Sequence, residues 1–597
     1  MKKLPLVILA AFVLGTTAPA AVAKMNWVKV ESKNFVLVGD ASEQDTKEFA
    51  AKLEQFRLSL NTLFPGLKIE TAATRVYVFR DNGSFAPFKP IYDGKRRDNV
   101  GGFFIGLPGM NYIALSTDPS WRYPLRPVFH EFEHSILRNN LGYLPMWLSE
   151  GLAEFFSTFY TSAGGKKATI GDPISSHSEL FRLNSIWTFA RLFAVDRGSR
   201  DYNESNRVGL FYAESWALVH FLMFQDVKNK TNNFPKFIEL LSTEPSAEAA
   251  FQKAFGRETR EVEAQLRDYV KGPSFPVMDV EFNEQIIAPK DLISSKVSEA
   301  ESEYYAGDLL LTMFRPEDAE PHLMRSVALD DQLADAHLGL GTLRMNQKRV
   351  NEAQREYQMA IKLDPRNYRS KLAYGISLAA DNKWDEALAA LKAALVLKPD
   401  SANVHIAVAR YWQTLGKDEQ AISEISLATR LEPRNAEHYR ALAFSLLRVG
   451  RGKFAVQAAQ KYIQLSSWDG FYSGYMVMVA ALGFQQASQP ADAAAILKLA
   501  SGRLPSDNWL QPIYKYLMTD ITAAELLALA NDNEKLTDAH SFLGMQLALT
   551  GKPAEARSHF EWVVAKGRHN SLAFFLATDE LRRMTVTTQL TEKKTSD

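Results

Sequence analysis

His130-Glu131-Phe132-Glu133-His134 sets two imidazoles four residues apart, with a carboxylate directly after the first. On a helix, positions i and i+4 lie one turn apart on the same face. Both imidazoles then reach one ion, and the i+1 carboxylate stands beside it, where it can take a proton from water. Pro124 and Pro127 ahead of this run, and Asn139-Asn140 with Gly142 after it, bracket a helix of suitable length. The next segment, Pro145-Met-Trp-Leu-Ser-Glu150-Gly-Leu-Ala-Glu154-Phe-Phe, reads as a second helix with Glu150 and Glu154 on one face. Two spaced glutamates ordinarily mark a solvated face. Here Trp147, Leu148, Leu152, Phe155 and Phe156 predict a buried helix, and buried glutamates need a partner. A hydrolytic zinc site takes three protein ligands and leaves one position open. His130, His134 and Glu150 are the expected ligands of one zinc ion per chain. Glu154 is expected to orient a ligand imidazole through its other N–H, and Glu131 to act as general base.

The chain has no cysteine, which excludes disulfides, thiolate ligands and a cysteine nucleophile, so any metal is held by His and carboxylate. Lys+Arg and Asp+Glu both number 69, and no charge excess points to nucleic acid or to an anionic membrane. At 597 residues the chain is too long for one core. Lys2-Lys3, the apolar run Leu4 to Leu14 and Ala21-Val22-Ala23 predict a signal peptide over 1–23. The periplasm is the expected location, with secretion the alternative. No later run approaches the ~20 apolar residues of a membrane helix, so no integral membrane segment is expected after cleavage.

The elements that must position the site are predicted as an α+β unit over 24–275. Trp27–Val38 and Arg75–Phe79 read as strands, 43–63 as a helix, and Gly102–Ile105 with Tyr112–Leu115 as a hairpin. The strand Asn111–Ser116 is the expected edge for an extended peptide. A linker is expected over 276–300. Beyond it Ala319, Ala353, Ala387, Ala421 and Ala455 recur every 34 residues. Gly341, Gly375, Ala409 and Ala443 stand 12 residues ahead of four of them, and Pro365, Pro399 and Pro433 keep the same period. Small residues where two helices cross and proline after the second helix are the pattern of tetratricopeptide units. An all-α solenoid is therefore predicted over 301–570, with the end of a helix and a disordered tail over 571–597.

HEFEH followed by PMWLSEGLAEFF resembles the gluzincin peptidases, a family of HExxH zinc enzymes, and is most similar to bacterial exported proteins that join such a domain to tetratricopeptide repeats. The resemblance implies a zincin-like fold over 24–275, Glu150 as metal ligand, Glu131 as general base and peptide or protein substrates. It also implies a downstream Tyr or His that donates to the oxyanion. Tyr212, in Phe-Tyr-Ala-Glu-Ser-Trp-Ala-Leu-Val-His, is the candidate, while His220 reads as structural. No Gly-Ala-Met-Glu-Asn motif supports an aminopeptidase. Two functions follow as expectations: a zinc peptidase whose repeats hold protein substrates or partners on their concave face, or a non-catalytic repeat scaffold carrying an inactive peptidase-like domain.

Overall fold

The computed structural model of the chain describes residues 26–64, 73–92, 95–96, 100–107, 110–118, 125–141, 144–161, 166–195, 199–241, 244, 247–282, 287–466, 472–502, 508–569 and 571–595. The expected leader lies outside these residues. No helix among them is long and apolar enough to cross a membrane.

The N-terminal part is built on a mixed sheet of β1 (Val28–Glu31), β2 (Phe35–Gly39), β3 (Ala73–Phe79), β4 (Gly102–Leu107) and β5 (Met110–Ser116). A smaller sheet pairs β6 (Lys167–Ile170) with β7 (Met278–Glu281), and β8 (Ile293–Lys296) returns to the large sheet. The order is β8-β1-β2-β3-β5-β4. β2–β3 and β3–β5 are parallel and the other pairs antiparallel. The central strands are apolar on both faces because both are covered. Leu37, Val76, Val78, Ile113 and Leu115 point into one core with Phe49, Leu53, Phe56 and Leu60 of α1 (Glu43–Leu63). Val38, Tyr77, Phe79, Tyr112 and Ala114 point the other way. Burying each of these larger side chains contributes about 1.5–3 kcal/mol.

Two expectations change here. Asn111–Ser116 lies inside β5, which pairs with β3 on one side and β4 on the other, so it is not the edge. The edge is β4, because the parallel β3–β5 pairing draws the second strand of the hairpin inward. The segment 276–300 is not a linker either: β7 extends the smaller sheet, and β8 pairs with β1 from Val28↔Lys296 to Glu31↔Ile293.

Helical hairpins follow from Glu299 to Ser501, and again over 533–566. The 34-residue period has a packing cause. A Cβ added at Gly341 would lie 2.5 Å from the Tyr357 ring, and one at Gly375 2.8 Å from Leu391, so only small residues fit where the two helices cross. Positive φ also recurs every 34 residues in the turn between helices, at Phe314, Lys348, Asn382, Gly416 and Gly450. Successive first helices of these hairpins touch one another, which curves the array with those helices on its inner side. The last helix, Leu572–Thr595, packs Leu576, Leu581 and Met584 on the repeat core, so the tail expected to be disordered is helical to Thr595.

The two parts share a core. The second face of the sheet is covered by α6 (Glu299–Thr312), the first repeat helix, through Tyr304, Tyr305, Leu309 and Leu310. Within that apolar contact Arg75 Nη1 lies 2.5 Å from Asp308 Oδ2, and the Tyr77 hydroxyl donates to the same oxygen at 3.0 Å.

Candidate metal centre

α2 (Arg126–Leu141) carries His130 and His134, and α3 (Met146–Ser157) folds back across it. Pro145 precedes the first residue of α3 in extended backbone, where its missing N–H costs nothing. Trp147, Leu148, Leu152, Phe155 and Phe156 are buried, which drives α3 into the core between α2 and α5 (Ser205–Asn229). Gly151 permits the approach: a Cβ there would stand 2.3 Å from the Ser215 carbonyl oxygen. Glu150, next to that glycine, is thereby carried inside and is 6% exposed.

Three ligand atoms meet at this crossing. Glu150 Oε2 lies 3.2 Å from His130 Nε2 and 3.3 Å from His134 Nε2. That oxygen is buried and has nothing against it but these two ring nitrogens. Tetrahedral zinc with bonds of 2.0–2.2 Å separates its ligand atoms by about 3.3–3.6 Å, close to the two Glu150 distances, and the ligand atoms of all three residues lie within 4.8 Å of one another. His130, His134 and Glu150 thus form a group that could hold a metal ion.

The other ring nitrogens are held. His130 Nδ1 lies 3.1 Å from Glu154 Oε1, and His134 Nδ1 lies 3.1 Å from Ser149 Oγ. Such contacts fix the ring planes and the tautomer that leaves Nε2 free. Glu154 Oε2 in turn meets Arg126 Nη2 at 2.5 Å and His177 Nε2 at 3.6 Å, the latter from α4 (Ser175–Leu183). Burial lowers the basicity of His130, but the carboxylates of Glu150 and Glu154 outweigh it and push its pKa up to about 10. Burial raises both carboxyls, yet hydrogen bonding to the neighbouring imidazoles, His130 first, brings each down to about 2. Burial takes His177 down to about 4, so it stands neutral.

The other sequence candidates surround this group. Glu131 is half-buried, one residue along α2 from His130. Tyr212 of α5 is half-buried with its ring 6.1 Å from that of His130. Its hydroxyl hydrogen-bonds to Tyr202, and burial first, then Glu150, holds its pKa well above the usual phenol value. His220 is structural: Nε2 is 3.0 Å from the Gly171 carbonyl oxygen and Nδ1 2.7 Å from the Tyr269 hydroxyl. His337 and His405 are used up within their hairpins, by Glu356 and Glu424.

Sequence reasoning missed Arg126, Ser149, His177 and Glu133. Arg126 stands one turn before His130, and Ser149 directly before Glu150, so their spacing held a signal. His177 arrives only through the tertiary fold. Glu133 is wholly buried with neither carboxyl oxygen hydrogen-bonded, and burial raises its pKa well above the usual range.

A family described as "Protein of unknown function (DUF1570)" matches residues 127–248, the stretch that holds all three candidate ligands. No curated protein matches the chain. Among solved structures, Pseudomonas aeruginosa PilF is similar at 20% identity over 37% of this chain and 97% of its own, with a TM-score of 0.32. PilW, titled a widely conserved type IV pilus biogenesis factor, is similar at 14% over 36% of this chain and 99% of its own, with a TM-score of 0.33. TTC0263, a tetratricopeptide protein of Thermus thermophilus, is similar at 20% over 32% of this chain and 98% of its own, with a TM-score of 0.27.

Proposed function

We propose that this chain is a zinc-dependent peptidase of the gluzincin type, exported to the periplasm, with a repeat array that holds protein substrates or partners. The observation that carries the reading is the convergence of His130 Nε2, His134 Nε2 and the otherwise unpartnered Glu150 Oε2. Zinc held there would supply Lewis acidity towards a scissile carbonyl and would lower the pKa of a water enough for it to lose a proton near neutral pH. Glu131, one residue beyond His130 on the same helix, is the carboxylate that would take a proton from the attacking water and return it to the leaving amine. Glu154 and Ser149 keep both imidazoles in the tautomer that presents Nε2. Tyr212, its ring 6.1 Å from that of His130, is the donor this reading assigns to the developing oxyanion. The edge strand β4, which touches α2, offers main-chain groups to an extended peptide.

The reading is tested with an unfolded protein such as casein as substrate. Cleavage is expected to stop after dialysis against 1,10-phenanthroline and to return on adding zinc. Cleavage that persists in the dialysed protein, its zinc content shown to be nil, would remove the metal from the mechanism.

A further inference from the structure

Arg126 has no part in the chemistry above, yet it is bound into the centre. It stands four residues before His130, on the same face of α2 and one turn earlier. Its Nη2 donates to Glu154 Oε2 at 2.5 Å, and its Nε donates to Ser157 Oγ at 3.2 Å. The Ser157 hydroxyl donates in turn to the Glu154 carbonyl oxygen at 2.7 Å, so the guanidinium is held at two points of α3. The other oxygen of Glu154, Oε1, faces His130 Nδ1 at 3.1 Å. A guanidinium, a carboxylate and an imidazole therefore stand in series, ending at the His130 Nε2 that faces Glu150. His177 is too far from Oε2, at 3.6 Å, to do the same work.

A carboxylate fixed through one oxygen alone turns easily about its last torsion, which has broad minima. With a charged donor on the second oxygen, its plane is set and Oε1 stays on His130. The pair lies mostly out of water, with side chains 28% and 12% exposed, so the contact is screened less than a surface ion pair. We propose that Arg126 is a positioning residue of the metal centre: by clamping Glu154 Oε2 it orients His130 and sets how tightly the centre holds a divalent cation. This rests on the metal-binding reading of the site.

The experiment is zinc affinity of the metal-stripped full chain, measured by competition with a chromophoric chelator. The proteins are wild type, Arg126→Met, Arg126→Lys, Glu154→Gln and the double variant Arg126→Met/Glu154→Gln. Arg126→Met is expected to weaken zinc binding about tenfold, the lower end of what outer partners of metal ligands contribute, and Arg126→Lys to weaken it less. In the Glu154→Gln background, Arg126→Met is expected to change affinity by less than about twofold, because its effect passes through that carboxylate. Arg126 matching Met in the wild-type background, or the full loss recurring in the Glu154→Gln background, would overturn the proposal. Arg126→Lys, which keeps the charge, serves if Arg126→Met fails to fold. Wild type that binds no zinc at all would defeat the metal reading itself, a different result from zinc binding that ignores residue 126.

Discussion

Glu131→Gln is expected to leave zinc content unchanged and to slow cleavage by about 10²–10⁴-fold, the usual contribution of a positioned general base. Glu131 lies one residue beyond His130 and is not among the converging ligand atoms, so its loss removes no metal donor. Gln keeps the volume of the side chain and its hydrogen-bonding atoms but cannot take a proton. The effect therefore falls on the chemical step, and substrate binding persists. Mixed with a cleavable protein, the variant should hold it long enough to be isolated with it. Cleavage at the wild-type rate would mean that another group accepts the proton, and the most direct rival reading, a scaffold with an inactive domain, would gain if both proteins were equally inert.

Arg75→Met is expected to cost on the order of 3 kcal/mol, read as a lowered midpoint of urea unfolding for the N-terminal part. Arg75 and Asp308 join the sheet to α6 inside an apolar interface, with side chains 11% and 18% exposed. Removing the guanidinium leaves Asp308 beside Tyr77 and Tyr304 with no cation against it. The cost is that of a buried carboxylate left unpaired and exceeds what the ion pair itself contributes. Adding Asp308→Leu to Arg75→Met should then recover most of the loss, since both charges are gone. Unfolding unchanged by Arg75→Met would show that the interface stands on its apolar contacts alone. A loss that Asp308→Leu deepens instead would show that packing volume, and not charge, was at stake.

The centre was legible because its information is local. His130, His134, Glu150 and Glu154 sit on two successive helices at one-turn spacing, and the apolar residues around the glutamates already said that α3 is buried. Ser149 and Arg126 were open to the same reasoning, one beside a ligand and one a turn ahead of another, but a serine and an arginine near a helix start have many ordinary uses. His177 was out of reach because only the packing of α4 against α5 brings it to Glu154. The repeat period was plain from small residues, yet its turn position escaped notice: positive φ falls on glycine at Gly416 and Gly450 but on Phe314, Lys348 and Asn382 elsewhere. The place of β4 at the edge escaped because sequence order does not give spatial order once two strands pair in parallel. The strands hidden in 276–300 are short and serve only as partners for others, and Ile293 of β8 is 80% exposed. Nothing in their composition set them apart from a connection.

The central claim, that one zinc ion belongs to His130, His134 and Glu150, is tested most directly by elemental analysis of protein purified without added metal. Near one zinc per chain is predicted for the wild type, and none for His134→Ala or for Glu150→Ala. Little or no zinc in the wild type, even after soaking with zinc and removing the excess, would contradict the account. The three side chains would then be a buried charge network, and the chain a repeat scaffold carrying a peptidase-like domain without its metal.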